Sequence, residues 1–407
     1  MDDSLSVHHS RREAQTIKRE SMSTISRRKF VEISSAAALG LQSWPALANH
    51  AGRGRLLLVG TVTGAPSTSD GIYAFAFDGE SGDLKQIALA AKSESPTFLA
   101  LSQDKTHLYA VNEIRQFQGK PTGAVSSFAL NKKSAALSLI NQVTSMGGGP
   151  THIAVDHSGR CVFAANYGGG SVVSFAVDKQ GRLSEPVSFF QYAADAEKHE
   201  RRPHAHRVTV SPDNRFLLVN DLGLDVIHIY KLDPATAKLT SHDPPLWRAT
   251  AGSGPRALRF HPNGRWVYCV DELKPTVNVL EWDSRKGTLT TVQEISLVPE
   301  GYQGKAAPGD IVFDKATRFA YVTSRLDDFM ATFSVSPETG KLTFLEKSSC
   351  GGQRPRHLAL DPTDRWLLIA NQDSDNIAVF ARDPKTGRLS PTGKSFSLAK
   401  PMCLVFI

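Results

Sequence analysis

A unit of roughly fifty residues, read six times complete and once in two pieces, predicts an all-β fold: a seven-bladed β-propeller closed by its own C-terminal strand. Three observations carry this. Prolines that open a recurring segment stand at 96, 150, 203, 255, 308 and 355, at intervals of 54, 53, 52, 53 and 47 residues, and Pro401 follows 46 later. Within each unit the apolar runs are short and alternate with period two, which suits strands and not helices. The first unit lacks the segment on which every other unit opens.

Each unit reads as a proline and a short apolar strand, a turn of Asp/Ser-x-x-x-Arg type, and an aromatic-rich strand ending in Asn, Asp or Glu. The copies are PTFLALSQDKTHLYAVNE, PTHIAVDHSGRCVFAANY, PHAHRVTVSPDNRFLLVND, PRALRFHPNGRWVYCVDE, PGDIVFDKATRFAYVTSR and PRHLALDPTDRWLLIANQ. A third strand follows, such as SVVSFAV or NIAVFAR. A polar hairpin such as DPKTGRLS or SPETGKLT then leads into the fourth. One such unit cannot bury its apolar face alone, so the units must stack. In the first unit, residues 54–61, 71–77 and 84–89 supply three strands, and PMCLVFI at 401–407 supplies the missing one. The propeller is expected over 49–407 as a single domain.

Residues 1–48 differ. Ser26-Arg27-Arg28-Lys29-Phe30 precedes a modestly apolar, Ala-rich run over 31–41, and Pro45-Ala46-Leu47-Ala48 offers a small-x-small cleavage site. Paired arginines before a weakly hydrophobic segment resemble a twin-arginine export signal, which predicts a periplasmic or otherwise exported protein. Met22, five residues before Arg27, offers an alternative start.

Composition excludes several classes. The four cysteines, at 161, 269, 350 and 403, have neither metal-like nor knot-like spacing. No run of about 18 apolar residues exists to cross a membrane. The leader's 7 basic and 5 acidic residues leave +5 of the formal +7 to residues 49–407, spread without a Lys/Arg block, so a nucleic-acid partner is not expected. A monomer is expected.

The innermost strand of each blade lines the central channel, where small or apolar residues are the norm. Against that background His152, the His204/His206 pair, Arg256 and Arg356 with His357 stand out just after their prolines. Glu113, Asn166, Asp221, Glu272, Arg325 and Asn371 end the second strands, so the hairpins are expected to bring both sets to one rim. The Pro203–Asn220 spacing is 17 where other units show 16, which predicts a local bulge beside His204-Ala205-His206.

Opening a ring ester needs a nucleophilic water, a base and positive charge near the developing oxyanion. Glu272 or a histidine suits the base, and Arg256, Arg325 or Arg356 suits the anion. No G-x-S-x-G elbow is present, which argues against an acyl-enzyme. GGGP (147–150) and YGGGS (167–171) lack the Lys-Ser/Thr and helix of a phosphate cradle and read as tight turns. No H-E-x-x-H or compact carboxylate cluster points to a metal, and the His204/His206 pair alone is a weak zinc motif.

The stretches GPTHIAVD…CVFAANYGGGSV, RRPHAHRVTVSPDNRFLLVNDLGLDVIHIYKLD and GPRALRFHPNGRWVYCVDEL resemble the seven-bladed lactonase family. That family includes propeller-type 6-phosphogluconolactonases and the fungal carboxy-muconate lactonising enzymes. The resemblance covers 55–407 and implies a cofactor-independent enzyme that opens or forms a lactone at the channel mouth. Its site of a histidine, a glutamate and arginines maps onto His152, His206, Glu272 and Arg256 as catalytic candidates. Arg325, Arg356, His204, Asp221 and Asn166 are the substrate-binding candidates. The sixth unit departs from the family pattern, with Val312 in place of a histidine and Ser324-Arg325-Leu326-Asp327 in place of Asn-Arg-Gly-His. Hydrolysis of a sugar lactone, phosphorylated or not, is the leading expectation; a non-catalytic binding module and a muconate-type cycloisomerase are the alternatives.

Overall fold

The computed structural model describes residues 54–194 and 201–407; the predicted leader over 1–48 lies outside them. Among the described residues every element is a strand, and the strands form seven four-stranded antiparallel sheets. Six sheets are built from consecutive segments. Their inner strands are β4 (Phe98–Leu101), β8 (Pro150–Val155), β12 (Ala205–Val210), β16 (Pro255–Phe260), β20 (Pro308–Phe313) and β24 (Pro355–Leu360). The remaining blade joins β1 (Gly54–Thr61), β2 (Gly71–Asp78) and β3 (Leu84–Lys92) to β28 (Pro401–Phe406), in the order β28-β1-β2-β3. Its register sets Leu57 against Phe406 and Gly60 against Cys403. β28 packs against both β24 and β4, so the ring closes through the C-terminal strand.

Burial explains why these segments choose their places. The second strands CVFAAN, FLLVND, WVYCVD and FAYVTS are buried along their whole length, because neighbouring blades cover both faces. They are therefore near-continuous apolar runs. The outermost strands, such as LTFLEKSS over Leu342–Ser349, alternate between covered and solvent-facing residues. Apolar clusters span adjacent blades, as where Tyr268 and Val279 meet Val322, Phe329 and Phe333. The recurring Asp of the first hairpin ties its turn: the Asp156 carboxylate accepts N–H bonds from Ser158, Arg160 and Cys161, and Asp361 does the same for Thr363, Arg365 and Trp366. Each turn needs one left-handed residue, filled by Gly159 (φ 73°) and Gly264 (φ 70°) and elsewhere by Asn214 and Asp364.

One backbone bond defines the repeat without reference to prolines. The N–H groups of Val62, Glu113, Tyr167, Leu222, Glu272, Arg325 and Gln372 donate to the carbonyls of Lys400, Ser95, Gly149, His204, Gly254, Ala307 and Arg354, at 2.8–3.1 Å. The fourth unit is thereby re-registered. Ala205, not Pro203, occupies the place of the other prolines: it pairs with Asp221, as Pro150 pairs with Asn166 and Pro255 with Asp271. The spacing is the usual 16, and the additional residues lie ahead of the strand.

Nor is the expected bulge special to that unit. Register shifts at the start of β8, β12, β16, β20, β24 and β28 leave an extra residue on the inner strand in every case. A bulge sets two successive side chains against one partner residue. Each of these six inner strands can thus offer two neighbouring side chains to the channel before alternation resumes.

Candidate active site

The bulged positions are Thr151, His206, Arg256, Arg356 and Met402, with Gly309 and Asp310 sharing the bulge of β20. His206, Arg256, Arg356 and Met402 line one small cavity, about the size of a single water, together with Glu113 and Asp310. The second-strand ends meet them from the side. Glu272 Oε2 stands 2.9 Å from Arg256 Nε and 2.7 Å from Arg325 Nη2. Arg256 also donates to the Gly309 carbonyl, which fixes its guanidinium across two blades. His204 stacks on Tyr167 with ring centroids 4.5 Å apart, and His206 meets the same ring edge-on at 5.7 Å.

A deeper layer follows one residue along. Asp310 is 2 % exposed and lies 2.9 Å from Arg207 Nη1 and 3.6 Å from His357 Nε2. The His152 ring packs on Phe98 at 4.2 Å, and His357 meets that ring edge-on. Backbone N–H groups of Val208 and Leu404 approach Nδ1 of His152 and His357, so each neutral ring carries its proton on Nε2.

Electrostatics divide these groups by role. Burial and the neighbouring Arg325 lower Arg256 to about 9 and Arg356 to about 10, so both stay cations at neutral pH. Burial alone would raise Glu272, but Arg256 and Arg325 outweigh it and hold the carboxyl below its ordinary range. Glu113 shifts the other way, because burial outweighs Arg356. Burial, with Arg256, Arg356 and Arg325 adding to it, drives His206 well down, and burial with Arg207 does the same to His152. Both imidazoles are therefore neutral near pH 7. The site combines a cationic fork, two carboxylates in opposed environments and neutral histidines.

Seven sequence candidates come together here: Glu272, His206, His152, Arg256, Arg325, Arg356 and His204. Two do not. Asn166 is fully buried inside its blade, donating to the Ser145 carbonyl and Ser171 Oγ. Asp221, also fully buried, accepts the N–H groups of His204, Gly223 and Leu224 and so holds the His204 loop from below. Strand alternation explains the difference: residues 16 after the first inner position turn into the blade, and those 17 after it turn to the rim. Glu113 lines the cavity, and Tyr167, Arg207 and Asp310 join the site although the proline-based spacing does not point to them. A repeat alignment on strand pairing instead of on prolines would have found them. No group of three or more His, Cys, Asp or Glu side chains suited to a metal ion occurs among the described residues.

A closed seven-bladed ring whose channel gathers Arg256, Arg325 and Arg356 near Glu272 and Glu113 defines the class. The chain belongs to the lactonase, 7-bladed beta-propeller family, whose sequence model matches residues 56–406. It is 33% identical over 301 residues to a 6-phosphogluconolactonase of Bacillus subtilis, spanning 73% of this chain and 82% of that protein. A 6-phosphogluconolactonase of Formosa agariphila is 30% identical across 70% of this chain and 81% of its own. The periplasmic gluconolactonase of Pseudomonas aeruginosa superimposes with a TM-score of 0.81 at 35% identity, covering 87% of this chain and 99% of that one.

Proposed function

We propose that this protein hydrolyses a sugar lactone to its aldonic acid at the channel mouth, without a cofactor. The observation that carries this reading is the Arg256–Glu272–Arg325 cluster beside a cavity that also receives Arg356 and His206. Water adds to the lactone carbonyl, the negative charge develops on its oxygen, and Arg256 and Arg356 stabilise that charge in a water-poor setting. Neutral His206 is placed to hydrogen-bond the substrate beside them, and Tyr167 with His204 forms a flat wall for a sugar ring. The relatives differ in name by a phosphate, being a 6-phosphogluconolactonase and a periplasmic gluconolactonase. The arginines suit a phosphorylated lactone, and an exported protein would meet the unphosphorylated one.

The test is a pH-stat assay of the purified protein on glucono-δ-lactone, 6-phosphogluconolactone and a dicarboxylated diene, each corrected for its spontaneous reaction. Acid release from a gluconolactone is expected. Arg256→Gln and His206→Ala should each lower kcat/KM by about 10²–10³-fold. Turnover of the diene alone would instead assign a cycloisomerase, and binding without turnover a recognition module. Light scattering of the same preparation should give the mass of a monomer.

We also propose that residues 1–48 are an export leader cut after Ala48. N-terminal sequencing of protein from the periplasmic fraction should begin at Asn49. Recovery of the intact chain from the cytoplasm alone would overturn this.

A further inference from the structure

The two carboxylates at the mouth occupy the same position of the repeat. The Glu113 N–H donates to the Ser95 carbonyl at 2.9 Å, and the Glu272 N–H to the Gly254 carbonyl at 2.8 Å. They belong to the second and fifth blades, three apart in a ring of seven. The fold makes them equivalent, and their surroundings make them different.

Glu272 is an ion-paired anion. One of its oxygens receives two guanidinium groups, at 2.9 and 2.7 Å, and the residue is not part of the cavity lining. A carboxylate held by two cations gives up basicity to them. Glu113 does line the cavity, beside Thr97, Thr151, His206, Arg256 and Arg356, and forms no ion pair within 4.0 Å among the described residues. Resting on the lactonase reading above, we infer that Glu113, not Glu272, is the base that takes the proton of the attacking water. Glu272 instead positions the guanidiniums of Arg256 and Arg325.

The step balances without any further reactant. The water oxygen bonds to the carbonyl carbon, its proton passes to Glu113, and the carbonyl π pair becomes an oxyanion facing Arg256 and Arg356. When the carbonyl re-forms, the ring C–O bond breaks and the ring oxygen takes the proton back from Glu113. Burial raises the Glu113 carboxyl, opposed by Arg356 and Arg256, which suits a group that must first accept and then return a proton near neutral pH. His152, His206, Arg207 and Asp310 are the other ionisable groups around the same cavity.

The experiment compares Glu113→Gln, Glu113→Ala and Glu272→Gln in the full chain, using glucono-δ-lactone in the pH-stat. Glu113→Gln should lose about 10²–10⁴-fold in kcat with KM within threefold and Tm nearly unchanged, and the acid limb of its kcat profile should disappear. Formate should restore part of the rate to Glu113→Ala. Glu272→Gln should raise KM and lower Tm, as expected of a positioning residue. A Glu113→Gln enzyme with wild-type kcat, beside a Glu272→Gln enzyme inactive at unchanged Tm, would overturn the assignment and leave the lactonase reading standing. Absence of turnover in the wild type would overturn both.

Discussion

Removing residues 401–407 is expected to abolish folding. The deleted segment carries β28, the innermost strand of the first blade, with Pro401, Met402, Cys403 and Leu404 buried. Met402 and Leu404 alone represent about 2–5 kcal/mol each on the scale of large-to-small core substitutions. Net stability of a domain is about 5–15 kcal/mol. The loss extends beyond β28. The N–H of Leu404 approaches His357 Nδ1 at 3.3 Å, Val62 donates to the Lys400 carbonyl at the edge of the deletion, and Phe77 packs edge-on against Phe406. The truncated ring would also expose the whole inner edge of β1, with the aggregation hazard of an unpaired strand. Size-exclusion chromatography should find the truncated chain in the void volume, without a cooperative thermal transition. A permutant that places 401–407 ahead of Gly54 through a short turn should fold again, since Ile407 already donates to the Leu56 carbonyl in an antiparallel pair. A truncated chain melting within a few degrees of wild type would show that closure through β28 is dispensable.

That closure was legible because it depends on counting. Three strands near the N-terminus and one orphan strand at the C-terminus have a single arrangement that leaves no blade short. The mouth was less legible because it depends on parity. A slip of one residue along a strand turns its side chains to the opposite face. Counting from prolines joined Asn166, which turns into the blade, with Glu272, which turns to the rim. In the fourth unit it misplaced the start of the strand, because Pro203 resembles the other prolines but Ala205 fills their place. The bulges added a second difficulty. Arg207 follows a bulged residue and Asp310 shares a bulge with Gly309, so both reach the channel, although simple alternation would send them into the core. Asp310 lies two residues before Val312, where the family histidine is missing, in the segment already marked as rebuilt.

Asp310→Asn should be among the most destabilising isosteric changes in the molecule. The carboxylate is the counter-ion of Arg207 at 2.9 Å, faces His357 at 3.6 Å, and feels the field of buried Arg259. Burial would raise its pKa, but Arg207, His357 and Arg259 hold it far below the ordinary carboxylate range. Its contribution to stability is therefore complete above the unfolded value near pH 4 and is lost only as pH falls through the lower folded value. At pH 7 the substitution leaves the guanidiniums uncompensated, at a cost of about 3–5 kcal/mol. Calorimetry should record a fall in Tm of about 5–15 °C for a domain of this size. Arg207→Met added to Asp310→Asn should recover part of that loss, because it removes the stranded cation and fills the space with apolar atoms. His357 contributes a separate slope. Burial lowers it to about 4 against the pull of Asp310, so the unfolded chain takes up its proton first. Its stabilisation is complete above the unfolded value near 6.5 and is lost as pH drops toward 4, on the order of 3 kcal/mol. His357→Gln should flatten Tm over that window, whereas Asp310→Asn should lower Tm at pH 7. A change of less than 1 °C for Asp310→Asn would mean that water, not Asp310, compensates Arg207 in the channel.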